Sequence, residues 1–159
     1  MLWTNRIFCG MIKDSVYLRD RQMRNLGGIK SMRKVVKFGG SSLASAEQFK
    51  KVGDIIRADK GRKYVVPSAP GKRFDGDIKV TDMLYACYAK AEKKEDITAS
   101  IAAIRERYME IINGLGLSLS LDDQFEVISE NFKKLAGSNY AASRGEYLNG
   151  IIMANYLGY

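Results

Sequence analysis

Residues 33–69 carry the pattern that most narrows the fold. RKVVKF at 33–38 reads as a short strand and stops at the turn Gly39-Gly40-Ser41-Ser42. Ser45-Ala46-Glu47-Gln48 has the form of a capping box, and Phe49, Val52, Ile55 and Ile56 follow at helical spacing, which predicts a helix to about residue 59. Gly61 breaks it, KYVVPSA at 63–69 reads as a second strand, and Pro70, Gly71 and Gly76 mark a loop. Strand, helix and strand in this order form a βαβ unit, which demands a parallel pair joined by a right-handed crossover.

Four more helices are expected after it. They run from Thr81 to about Lys94, from Ile97 to Asn113 with Gly114 as a stop, from Leu121 to Ala136 with Ser120 as N-cap and Gly137 as C′, and from Ser143 to Leu157 with Gly158 as C′. Two strands are too few to cover that much helical apolar surface. Either the helices bundle among themselves or further strands belong to the domain. The expectation is the front portion of a longer α/β domain, with apolar helix faces left exposed and the isolated piece poorly stable.

The 159 residues suit one domain, and 46% apolar against 28% charged residues excludes a disordered chain. No apolar run nears the roughly 18 residues a membrane span needs. Two cysteines, Cys9 and Cys87, make no disulfide framework, and Cys87 reads as core. With no histidine, a His triad, a His general base and the usual zinc sites are excluded. A soluble, cytoplasmic protein without a membrane partner is expected.

The net charge of +8 is uneven. Residues 1–34 hold 8 Lys+Arg against 2 Asp+Glu, and the remainder is nearly balanced. Nucleic acid is therefore not an expected partner of the folded part. Residues 1–31 show no sustained period and lack the apolar core of a secretory signal, and Asp14 and Asp20 argue against a transit peptide. Gly27-Gly28 permits a GGAGG ribosome-binding sequence ahead of Met32. The reading is a basic extension or translated leader over 1–31 and a folded part over 32–159.

Four constellations carry chemistry. Lys37-Phe38-Gly39-Gly40-Ser41-Ser42 has the make-up of a phosphate cradle: glycines admit close approach, N–H groups face phosphate oxygens, and Lys37 supplies positive charge. It reads equally as a tight βα turn with a solvated lysine. Val65-Val66-Pro67-Ser68-Ala69-Pro70-Gly71-Lys72-Arg73 sits at a strand end, where α/β sheets bind ligands; there Ser68 is a donor to a carboxylate and Lys72 or Arg73 an anion attractor, or the stretch is a basic surface loop. In Lys79-Val80-Thr81-Asp82, Thr81 serves as N-cap or as ligand contact. Ser143-Arg144-Gly145-Glu146 heads the last helix, where Glu146 reads first as a dipole-favoured first-turn carboxylate. Asp75, Asp77 and Asp82 read as solvated loop charge, with a metal site as the alternative.

Taken in order and spacing, KFGGSS, VVPSAPGKR, KVTDMLY and SRGEYLNG resemble aspartate kinase, of the amino-acid kinase superfamily, over residues 32–159. The resemblance implies an α/β fold, part of a three-layer α/β/α sandwich with a helix-rich segment after the first βαβ unit, truncated at the C-terminus. It implies transfer of the ATP γ-phosphate to the β-carboxylate of L-aspartate, the first step towards lysine, threonine and methionine. Lys37 would neutralise the transferring phosphate, with Phe38, Gly39, Gly40 and Ser41 forming the nucleotide cradle. Ser68 and Thr81 would lie near the substrate aspartate, and Glu146 would hold its α-ammonium. Mg2+ would arrive on the nucleotide, with no metal ligands assigned on the chain, and the full-length protein would be a homo-oligomer. The sequence ends before the family's adenine-binding segment, so these residues alone are expected to be inactive. A related kinase for another carboxylate or carbamate, or a non-catalytic basic binding module, are the alternatives.

Overall fold

The computed structural model describes residues 32–159; the readings made for 1–31, Cys9 included, lie outside the described residues. Strands β1 (Lys34–Phe38) and β2 (Arg62–Pro67) pair in parallel, with Val35 opposite Tyr64, Val36 opposite Val65 and Lys37 opposite Val66. Helix α1 (Ala46–Arg57) joins them, so the βαβ unit is present as expected. The Ser45 hydroxyl accepts the Gln48 N–H at 3.4 Å, the N-cap half of the capping box. Between β1 and α1 the chain makes a 3-10 turn over Gly40–Leu43, which the sequence reading did not include.

Four helices follow: α2 (Val80–Glu92), α3 (Thr98–Leu115), α4 (Asp122–Lys133) and α5 (Ser138–Leu157). They bundle among themselves. Leu84, Cys87, Ile104, Tyr108, Ile111, Ile128, Phe132, Leu148 and Ile152 are buried in one core with Leu43 and Phe49. The expectation of bare helix faces is thereby corrected. Single apolar side chains stay exposed on helices, Ile55 and Val127 among them, while on the strands Val35, Tyr64 and Val66 are 69%, 52% and 39% exposed along one sheet face. Val36, Phe38 and Val65 point the other way and pack on the core. The period of two along a strand puts these sets on opposite faces. Helices cover one face, and the opposite face carries no layer among the described residues.

Several helix ends differ from the sequence reading. Gly114 does not stop α3, which runs to Leu115 and closes on Gly116 at φ +69°. Gly114 is a packing residue: a Cβ there would lie 2.5 Å from the Ala46 Cβ, so it lets α3 approach the start of α1. The left-handed residue after α4 is Leu135 at φ +56°, whereas Gly137 at φ +99° begins α5. Ser120 is not the N-cap of α4, a position Leu121 holds; from one residue before it the Ser120 hydroxyl accepts the Asp122 N–H at 3.1 Å. Gly158 closes α5 at φ +79°, as expected. No described helix is long and apolar enough to cross a membrane.

Candidate active site

β1 delivers Lys37 and Phe38 to its carboxyl end, and the chain turns there. Gly39 is extended, and the Ser42 N–H donates to its carbonyl at 3.1 Å. This bond closes the first turn and leaves the preceding N–H groups of Gly40 and Ser41 outside it, as at any helix start. The helix end nearest this cradle is the short 3-10 turn, because α1 begins only at Ala46. Lys37 is exposed and forms no ion pair among the described residues.

The end of β2 is pressed against this turn. The Gly71 N–H donates to the Gly40 carbonyl at 2.9 Å, and the Ser68 N–H to the Phe38 carbonyl at 3.0 Å. A Cβ on Gly71 would lie 2.6 Å from the Gly40 carbonyl carbon, and one on Gly40 would lie 2.9 Å from the Ala69 carbonyl oxygen. Neither position accepts a side chain without backbone movement, so two motifs read separately in the sequence share one tight contact.

The other two motifs meet at Gly145. A Cβ there would stand 2.6 Å from the Ala69 Cβ and 3.7 Å from the Thr81 Cγ2. The residue after Gly145 is Glu146, the residue before Ala69 is Ser68, and all three candidate substrate residues, Ser68, Thr81 and Glu146, are half-buried. Asn149 joins them: its amide donates to the Ser68 carbonyl at 2.6 Å while its own carbonyl, fully buried, has no partner. Glu146 makes no ion pair among the described residues.

Two roles assigned from the sequence change. Glu146 is not a first-turn residue, because α5 starts at Ser138 and the motif lies well inside it. Its placement therefore owes nothing to the helix dipole, and its neighbour Gly145 is the residue packed against Ala69. Thr81 is not an N-cap, since Lys79 holds that position with no side-chain bond.

The acidic cluster also resolves. Asp77 is 9% exposed and ion-paired, at 2.9 Å to Arg73 Nε and 2.8 Å to Arg107 Nη1, so it is neither solvated nor free for a metal. Hydrogen bonds from the Arg73 guanidinium, then from the Arg73 and Ile78 N–H groups, and the Arg107 charge hold its carboxyl well below the usual carboxylate range. Arg73 is engaged by Asp77 at 2.9 Å and by Glu110 at 2.7 Å, so its guanidinium is taken up within the protein. No group of three or more His, Cys, Asp or Glu that could hold a metal ion occurs among the described residues.

The sequence reading missed Arg107, Tyr108 and Asn149. Arg107 carried a legible signal, a charge inside the apolar stripe of Ile104, Tyr108 and Ile111. Tyr108 donates from its buried hydroxyl to the Gly145 carbonyl at 2.9 Å, fixing the residue beside Glu146. Burial foremost, then the Glu146 charge, raises its pKa well above the usual 10.0.

Residues 32–158 match the model of the amino acid kinase family. The chain belongs to that family. Aspartokinase 3 of Bacillus subtilis (strain 168) is 46% identical over 100 residues, which are 60% of this chain and 22% of that protein. The crystal structure of Clostridium acetobutylicum aspartate kinase superposes with a TM-score of 0.75 at 48% identity, over 78% of this chain and 29% of that one. Escherichia coli aspartokinase III, solved with aspartate and ADP, shares the fold at a TM-score of 0.58 and 22% identity, over 77% of this chain and 28% of that one. The chain thus spans under a third of the length of these relatives. Within the amino acid kinase fold, the described residues supply the first βαβ unit and the helices on one side of it.

Proposed function

We propose that this chain supplies the phosphate cradle and part of the amino-acid pocket of an aspartate kinase, which transfers the γ-phosphate of ATP to the β-carboxylate of L-aspartate. One observation carries the reading: four motifs spread from Lys37 to Glu146 meet around the Gly40–Gly71 and Ala69–Gly145 contacts, and neither Lys37 nor Glu146 has an ionic partner among the described residues. The 48% identity to the Clostridium enzyme supports it.

The chemistry follows from the residues. An aspartate β-carboxylate is ionised at neutral pH, so it attacks without a general base, and a site devoid of histidine is sufficient. Catalysis then rests on alignment and on neutralising charge. The N–H groups of Gly40 and Ser41 donate to phosphate oxygens, Phe38 and Gly39 shape the turn, and the Lys37 ammonium balances negative charge on the transferring phosphoryl group. Glu146 holds the α-ammonium of aspartate, while Ser68 and Thr81 donate to its carboxylates. Mg2+, carried on the nucleotide phosphates, would add charge neutralisation. As in the sequence reading, a cytoplasmic homo-oligomer is proposed for the whole enzyme.

The test is a chimera in which residues 32–159 replace the matching segment of the Clostridium acetobutylicum enzyme, assayed with aspartate, glutamate and carbamate. Aspartate phosphorylation is expected, with Lys37→Ala lowering kcat by roughly 100-fold or more and leaving Tm within a degree or two. The 159-residue chain alone is expected to show no turnover. A folded chimera that prefers another acceptor, or that keeps its rate without Lys37, overturns the proposal.

A further inference from the structure

Residues 71–78 form a loop whose two flanks carry the pocket: Ser68 lies just before it and Thr81 just after. A single buried guanidinium closes it. Arg107 Nη2 donates to the Gly71 carbonyl at 3.0 Å, and Nη1 donates to Asp77 Oδ2 at 2.8 Å and to the Ile78 carbonyl at 3.3 Å. The Val80 N–H adds a bond to the Pro70 carbonyl at 3.1 Å, and Gly71 in turn holds Gly40. Arg107 is 5% exposed, and its Nε has no partner.

A charge in that position is a poor way to gain stability. A buried ion pair repays its desolvation only with full hydrogen bonding, and hydrophobic replacements of such pairs are often neutral or stabilising. What the guanidinium does provide is geometry, a rigid planar fork that reaches both ends of one loop at once. We infer that Arg107 is a positioning residue: it sets the spacing of Ser68 and Thr81, and through Gly71 the position of the Gly40 turn, without touching substrate. The inference deepens the kinase reading and rests on it only for its catalytic consequence.

Hydrogen exchange on the full 159-residue chain tests the geometry directly. In Arg107→Lys the charge stays but one ammonium cannot span Gly71 and Ile78, so amides of 39–43 and 69–80 are expected to exchange about tenfold faster or more, with α4 unchanged. The double variant Arg107→Met with Asp77→Asn removes the buried charges together; it is expected to keep its Tm while the same amides loosen. Rescue by lysine, or an equal rise in exchange across α4, shows a merely structural role and overturns the inference.

In the chimera, Arg107→Lys is expected to raise KM for aspartate by about tenfold while changing kcat less, since the displaced groups, Ser68 and Thr81, are those that bind aspartate. A matched core variant, Ile128→Val, lowers stability without that split. A wild-type chimera inactive on aspartate sinks the kinase reading alone, because the exchange result is obtained without substrate.

Discussion

Two glycines of α5 show how much a single position decides. A Cβ on Gly145 would lie 2.6 Å from the Ala69 Cβ, whereas one on Gly150 would meet nothing within 4 Å. Gly145→Ala is expected to push α5 off the strand end, costing about 1–3 kcal/mol from overpacking. Gly150→Ala removes backbone freedom from the unfolded chain at no steric cost and is expected to stabilise by about 0.4–1 kcal/mol. Thermal unfolding of the two variants should therefore shift in opposite directions, and equal shifts would show that the close contact is absent. Both glycines look alike in the sequence, as weak points in a helix. Cys87 was legible by contrast: it sits on the apolar stripe, and burial pushes its thiol up to about 11, so it is inert.

At the scale of elements, the loop between β2 and α2 depends on Asp77. Its pKa is depressed in the folded chain below the ordinary 3.8, so the folded state binds the proton less readily than the unfolded one. Its contribution is thus fully present above pH 3.8 and is lost as pH falls through and below that value. Urea titrations from pH 7 down to pH 3 are expected to show wild type losing more stability than Asp77→Asn, and parallel curves would refute the brace. The elements themselves were mostly legible, because strands β1 and β2 and helices α1 to α4 follow strong periodic patterns. The start of α5 was not. Gly137 looks like a helix stop, and only the left-handed Leu135 shows that the preceding helix has already ended. That shift moved Glu146 from a helix head into a helix interior, which changed its meaning.

Among the described residues, one face of the sheet carries a group of exposed apolar side chains. Val35, Tyr64 and Val66 share one face with Lys37, and the two-stranded sheet has open edges among the described residues. An exposed apolar strand face with free edges favours self-association. The 159-residue chain is expected to associate as concentration rises, and Tyr64→Thr with Val66→Thr to reduce that association while changing stability by no more than about 0.5 kcal/mol. Light scattering across a concentration series checks it; unchanged association would place the sticky surface elsewhere.

The sequence by itself determined the βαβ opening, the helical run after it and the four motifs, because those rest on local terms: β-branched runs, caps, glycine turns and a 3.6-residue period. It also determined what chemistry was excluded, since a chain without histidine cannot use one. Only the tertiary structure decided that the motifs come together in space. Gly71 against Gly40, Gly145 against Ala69, and Arg107 spanning both ends of the 71–78 loop are contacts between residues dozens of positions apart. Such contacts depend on how closely helices and strands pack, and close packing is a property of the assembled core that no local pattern encodes.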